Sequence, residues 1–216
     1  MTIYQNAPPV LLNVCHRWSA AVAKLRSDDE RIRYFESELA ELLGKRSLFA
    51  RIMENIAVGK NYPDIRQARL FENEIILYLN PKRLFSLRMY IYDAYEFSYI
   101  HDHSSWGVTG ALTGTLQVKQ YVRQDDGSKD GYARLGSNGA VDYQLGQTET
   151  TLPLDDGIHQ TGNPGPSPLV MISVYGKPLR RLYIHRFEPG SHKVVKVYPP
   201  KIRKKMLVLE ALKHFV

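Results

Sequence analysis

Apolar positions in the first part of the chain recur every three or four residues. Val14, Trp18, Val22 and Leu25 form one stripe, and Ile32, Phe35, Leu39 and Leu42 form a second. Each stripe predicts a helix with one buried face. Ser27-Asp28-Asp29-Glu30 opens the second helix with a capping-box pattern. There Ser and Glu would each accept a hydrogen bond from a backbone N–H that the first turn leaves free. Gly44 is placed to end that helix, and a third, shorter one is predicted from about Leu48 to Ile56.

After Pro63 the period shortens. Ile75 to Leu79, Phe85 to Tyr92, Phe97 to His103, Val108 to Leu112 and Leu116 to Val122 are short runs of aromatic and β-branched residues. Leu169 to Tyr175, Leu182 to Phe187 and Val194 to Tyr198 continue the series, and a further strand is expected to begin near His159. Asp125-Asp126-Gly127, Asp130-Gly131 and Ser137-Asn138-Gly139 supply turn signals between them. Many short strands with glycine turns predict a β-sandwich or barrel. Past Pro199-Pro200, a last helix from about Arg203 to Phe215 would turn Met206, Leu209, Leu212 and Phe215 inward. The expectation is a single mainly β domain over 1–216. It has a helical part at 1–65, a barrel at 70–200 and a basic tail or helix at 201–216.

Charge changes this picture in one place. The chain carries net +7, and Arg180 to Lys205 alone carries +8, with only Glu188 opposing nine basic residues. A solvated edge and tail explains such a stretch. Aromatics are not interleaved there as in single-strand binders, and no helix-turn-helix pattern is present, so a nucleic-acid partner is not expected. The single cysteine, Cys15, excludes an intrachain disulfide framework and a cysteine-based zinc knuckle. It is expected to be a small buried hydrophobe. No apolar run is long enough to span a membrane. Residues 1–5 lack a basic flank followed by an apolar stretch, so a cytoplasmic location is expected. The sequence carries no signal for oligomeric state.

Histidines supply the candidate chemistry. His101 and His103 sit at i and i+2, and on a strand they would share a face with Asp102 turned away. Two imidazoles so placed can take adjacent positions on one metal ion. His159, in Gly157-Ile158-His159-Gln160-Thr161-Gly162-Asn163, would complete three ligands and leave other positions open. The three rings should then converge on a point about 2.0–2.2 Å from each nitrogen. His16, His185, His192 and His214 show no ligand spacing.

The run from His101 through His103, Gly107 and Gly114 resembles the first cupin motif, with Gly107 where most cupins carry a glutamate ligand. His159 and Asn163 resemble the second. Without that glutamate the set resembles the thiol dioxygenases, the cysteine and 3-mercaptopropionate dioxygenases. Phe85-Ser86-Leu87, Trp106-Gly107, Gly110, Leu112, Gly114 and Val174-Tyr175-Gly176 look like the bacterial branch. The similarity covers about Ile75 to Tyr183.

That resemblance implies a cupin jelly-roll barrel with a helical N-terminal region. It also implies Fe(II) at the three histidines and a small thiol, cysteine- or 3-mercaptopropionate-like, oxidised by O2 to a sulfinic acid. Tyr175 would be the catalytic tyrosine. Ser173 and Met171 stand where the family has histidine and serine partners on the same strand face. Asn80 stands where mammalian-type enzymes place a carboxylate-binding arginine. Arg180 or Arg181 fits the arginine of the bacterial branch, with Arg83 and Arg88 as alternatives, and Trp106 and Ser173 are further substrate-contact candidates. With Cys15 far from Tyr175 in sequence, no cysteine–tyrosine crosslink is expected. Two other readings remain: an iron cupin oxygenase acting on a non-thiol substrate, and a non-catalytic metal-binding cupin.

Overall fold

The computed structural model describes residues 6–65, 70–179, 181 and 183–214. Three helices come first: α1 (Pro9–Val22), α2 (Asp28–Leu43) and α3 (Arg46–Ala57). The capping box forms as the sequence predicts. Ser27 Oγ accepts from Glu30 N at 3.1 Å, and Glu30 Oε2 accepts from Ser27 N at 3.2 Å. Gly44 follows α2 with ordinary right-handed dihedrals, so the helix end makes no use of its conformational freedom.

Eleven strands follow among the described residues: β1 (Glu74–Leu79), β2 (Phe85–Tyr92), β3 (Ile100–His101), β4 (Gly107–Thr113), β5 (Leu116–Arg123), β6 (Leu135–Tyr143), β7 (Thr148–Thr151), β8 (His159–Gly162), β9 (Leu169–Gly176), β10 (Ile184–Glu188) and β11 (Lys193–Val197). They form two antiparallel sheets, ordered β1-β2-β9-β4-β7 and β11-β10-β3-β8-β5-β6. The protein is mainly β, a jelly roll flanked by an N-terminal helical region and a C-terminal helix, α4 (Pro200–Leu212).

Strand alternation divides the first sheet into two faces. One carries Leu77, Leu87, Met89, Val108, Ile172 and Val174, and α1–α3 pack on it. Trp18, Phe35, Phe85 and Trp106 form the aromatic centre of that cluster. Phe35 lies 5.2 Å from Trp18, 5.1 Å from Phe85 and 5.8 Å from Trp106, centroid to centroid. The Trp18 indole N–H donates to Glu38 at 2.6 Å, which meets its one polar need. Cys15 is buried in the same cluster, and burial pushes its thiol pKa far up. The other face looks into the barrel with Tyr90, Tyr92, Ala111 and Met171.

Three expectations need correction. Ser137-Asn138-Gly139 lies inside β6, an exposed edge strand, because a pairing irregularity opposite Lys119–Tyr121 absorbs it. The strand expected over Phe97–His103 is confined to Ile100–His101, with Phe97 making an isolated bridge to Gly162. The last helix exists, yet it buries no residue, and Met206, Leu209 and Leu212 are exposed. Leu207 and Val208 are exposed between them, so its apolar positions ring the helix instead of forming the single stripe that packing needs. Phe215 lies outside the described residues. No helix of the described residues is long and apolar enough to cross a membrane.

Phe35→Ala should lower stability by about 3–5 kcal/mol, since it empties the centre of the aromatic cluster. Urea unfolding is expected to show a lower midpoint with an unchanged slope.

Candidate metal centre

Two strands and one sheet-to-sheet crossing build the site. β3 pairs with β8 so that His101 lies directly opposite His159, which brings the two rings together on the inner face. His103 comes two residues later, after β3 has ended and before the chain crosses to β4. Its ring still reaches the same point. Ring centroids are 4.8 Å apart for His101–His103, 4.9 Å for His101–His159 and 4.7 Å for His103–His159. One nitrogen from each ring lies within 4.8 Å of the others, and all three side chains are buried.

This donor set fits a metal ion. His103 Nε2 and His159 Nε2 are 2.8 Å apart. Two nitrogens about 2.1 Å from one metal and at right angles to each other would be about 3.0 Å apart. His101 Nδ1 lies 2.8 Å from the Tyr99 carbonyl oxygen, an acceptor only, so Nδ1 carries the proton and Nε2 keeps its lone pair. Burial lowers all three histidine pKa values, His101 to about 4 and the other two well below the ordinary value. The rings are therefore neutral at pH 7, as ligands must be.

His159 has a carboxylate behind it that the sequence reading missed. Thr151 Oγ1 lies 3.4 Å from His159 Nδ1 and bonds both Glu149 oxygens, at 2.8 and 2.9 Å. Glu149 Oε1 itself is 3.9 Å from Nδ1. Burial raises the Glu149 pKa to about 7. β7 is a run of polar residues, Thr-Glu-Thr-Thr, so no apolar alternation marks it as a strand. A lone acid two residues from a threonine was its only signal.

Asp102 turns away from the three rings, as the alternation predicts, but into a buried network instead of solvent. Its carboxylate accepts from Arg181 at 2.9 and 2.7 Å, from His185 Nδ1 at 2.8 Å and from His185 N at 2.7 Å. Burial alone would raise its pKa, and these donors lower it instead. Arg181 also donates to the His103 carbonyl at 3.1 Å. The proposed substrate contact at Arg181 is corrected accordingly: its guanidinium holds the histidine segment from outside the barrel. Arg180 lies outside the described residues.

Trp106 is corrected too. The chain crosses between sheets at 102–106 and delivers the indole to the helix-covered face, beside Phe35. It lies against Gly176, where a Cβ would come within 2.1 Å of Trp106 Cε2. Ser173 faces the barrel interior, fully buried, and accepts from Thr109 Oγ1 at 2.8 Å. Asn80, at the position of the absent early arginine, caps the β1–β2 turn through Lys82 N and Leu84 N and donates to Ser19 Oγ.

Tyr175 lies beside His103, one of the three histidines. Its ring stacks on His103 at 5.8 Å and 21°. Gly107 pairs with Tyr175 across β4 and β9, and a Cβ at Gly107 would come 2.8 Å from Tyr175 Cε1. The tyrosine thus fills the space where a side chain at 107 would project. Burial raises its hydroxyl pKa, partly offset by the neighbouring Tyr90 and Ser173 hydroxyls. A cavity of about 210 Å³ opens onto His101, His103 and Tyr175. Among the described residues its arginines are Arg83 and Arg88, two of the four considered from sequence. The Arg88 guanidinium lies 5.2 Å from the Tyr175 ring centre.

No family model matches the chain. No curated protein matches it. Solved structures similar to it include a cupin 2 conserved barrel protein from Rhodopseudomonas palustris, 16% identical over 50% of this chain and 62% of that one, with a TM-score of 0.37. Another, from Salinispora arenicola, is 18% identical over 51% of this chain and 81% of that one, with a TM-score of 0.36. The Lactobacillus farciminis oxalate decarboxylase formate complex is 17% identical over 59% of this chain and 32% of that one, with a TM-score of 0.36. The chain thus spans less than two thirds of the first and about a third of the last. These likenesses concern barrel architecture and not what the barrels hold.

Two outcomes test this geometry. An unfolded histidine takes up a proton near pH 6.5, whereas folded His101 does so only near 4. The metal-free protein should therefore lose stability as pH falls from 6.5 towards 4, by on the order of 3 kcal/mol from this group alone. Thermal melts of metal-free protein across that range would read it. Glu149→Gln should weaken divalent-metal affinity roughly 10- to 100-fold by loosening the support behind His159. Competition against a chromogenic chelator would measure the change.

Proposed function

We propose that the protein is an Fe(II)-dependent thiol dioxygenase that converts a small thiol and O2 to a sulfinic acid. The observation that carries this reading is the convergence of three buried neutral imidazoles beside Tyr175, with the position at 107 closed to any carboxylate ligand. When bound by His101, His103 and His159, Fe(II) would supply a centre that lowers a thiol pKa and reacts with dioxygen.

The chain's own groups do the rest. Three neutral ligands add no negative charge, so an anionic thiolate is favoured there. The cavity suits a small molecule, since drug-sized ligands need about 300–1,000 Å³. Arg88 lines that cavity and stands over Tyr175, where it would orient the polar end of a substrate. Tyr175 keeps the proton on its hydroxyl at neutral pH, so it donates a hydrogen bond to oxygen developing on sulfur. The overall change is balanced: the thiol and O2 give the sulfinic acid, both oxygen atoms go to sulfur, and sulfur loses the four electrons that O2 gains.

Oxygen consumption by iron-loaded protein with cysteine, 3-mercaptopropionate and cysteamine tests the reading. Uptake should depend on thiol, match sulfinic acid one to one and vanish in His159→Ala. Tyr175→Phe should retain iron but lower kcat on the order of a hundredfold. No uptake with any thiol despite bound iron would overturn the proposal and favour a non-thiol substrate or a binding role.

A further inference from the structure

The cavity in front of His101 and His103 also contains a buried ion pair. Glu74 and Arg88 both line it. Glu74 is fully buried, and its Oε1 accepts from Arg88 Nη1. Its other oxygen, Oε2, has no hydrogen-bond partner among the described residues. Native proteins rarely leave a buried polar atom unpaired without a reason. Arg88 is only partly used as well. Its Nε donates to Ser86 and its Nη1 to Glu74, while Nη2 has no hydrogen-bond partner among the described residues.

The pair cancels its own charge. Burial opposes the Arg88 charge, but the Glu74 carboxylate more than offsets this and holds the proton on. The neighbouring Tyr90 and Tyr175 hydroxyls are neutral at pH 7, each with its pKa raised by burial. The Glu74–Arg88 pair is therefore neutral in itself and strongly dipolar, with one donor and one acceptor unpartnered among the described residues, while Arg83 also lines the cavity. A bare carboxylate arriving here would gain Arg88 but face Glu74. A polar group with an acceptor and a donor of its own would satisfy both.

We propose that Glu74 is the specificity-determining residue of the site, selecting thiols whose polar end accepts from Arg88 and donates to Glu74 with no net charge there. This inference rests on the thiol reading above and narrows its substrate class. A zwitterionic amino-acid head and a neutral amide head share that chemistry. A simple mercapto acid lacks the donor and sets a second carboxylate against Glu74.

Binding of thiols to cobalt-substituted protein, followed by the sulfur-to-cobalt absorption band, tests this without turnover. The probes are cysteine, 3-mercaptopropionamide and 3-mercaptopropionate at one fixed pH. At least one of the first two should bind about tenfold more tightly than the mercapto acid, and their relative affinity identifies the preferred head. Glu74→Gln should reverse that order by exposing the Arg88 charge. The double variant Glu74→Gln/Arg88→Gln, which leaves no charge unpaired, should bind all three within a few-fold of one another. It also covers the case in which the single variant does not fold. Cobalt content and melting temperature of each variant confirm an intact site. Equal binding of all three thiols by the unaltered protein, or an order unchanged in the variants, would overturn this inference alone. No thiol band with any probe despite bound cobalt would overturn it together with the thiol reading.

Discussion

Four hydrogen bonds converge on the Asp102 carboxylate, two from Arg181 and two from His185. Asp102 separates the two histidines of the pair, so holding it holds both neighbours. The strand that carries His101 is only two residues long. Sheet pairing alone therefore cannot fix His103, which lies beyond its end. The clamp does so from outside, and Arg181 adds a bond to the His103 carbonyl, which also accepts from Leu154 N at 2.9 Å. Removing one partner of such a buried pair typically costs 3–5 kcal/mol, because the other charge is left unpaired. The convergence of the rings is thus stabilised by polar contacts on the side of the segment opposite the cavity.

The two faces of the first sheet divide the remaining work. One is apolar and packs under the helices, where Trp18, Phe35 and Trp106 interlock. The other turns polar groups inward, including Glu74, Arg88 and Thr109, with Ser173 and Tyr175 beside them on β9. A barrel interior lined this way is costly unless its groups are paired. Most are: Thr109 with Ser173, Arg88 with Glu74 and Ser86, Glu149 with Thr151. The apolar outer face gives the sheet the stability that a polar interior does not.

Helices and most strands were legible because their apolar periods are strong. The three histidines were legible because few residue types bind metals and their spacing matched strand geometry. What escaped notice depends on contacts distant in sequence. Arg181 finds Asp102 seventy-nine positions away, and nothing local to either residue announces the pairing. Trp106 is next to Gly107 in sequence, yet its indole packs beside Phe35 under the helices. The crossing between sheets places it there. Glu149 and Glu74 are single acids on strands, and their burial follows from the barrel's closure alone. The last helix shows the converse: its propensity was correct, while Leu207 and Val208 carry its apolar surface round to the side opposite the one assigned to pack, and no residue of it is buried.

The contact between Gly107 and Tyr175 also bears on how such a site can change over time. A side chain at 107 cannot enter while the tyrosine ring lies 2.8 Å from where its Cβ would be. The tyrosine in turn has room because 107 is glycine. Position 107 is therefore not free to gain a side chain while 175 is tyrosine. Placing a carboxylate side chain at 107 would first require a smaller residue at 175, and restoring the tyrosine would first require a glycine at 107. The order in which the two positions can be exchanged is thus imposed by van der Waals contact.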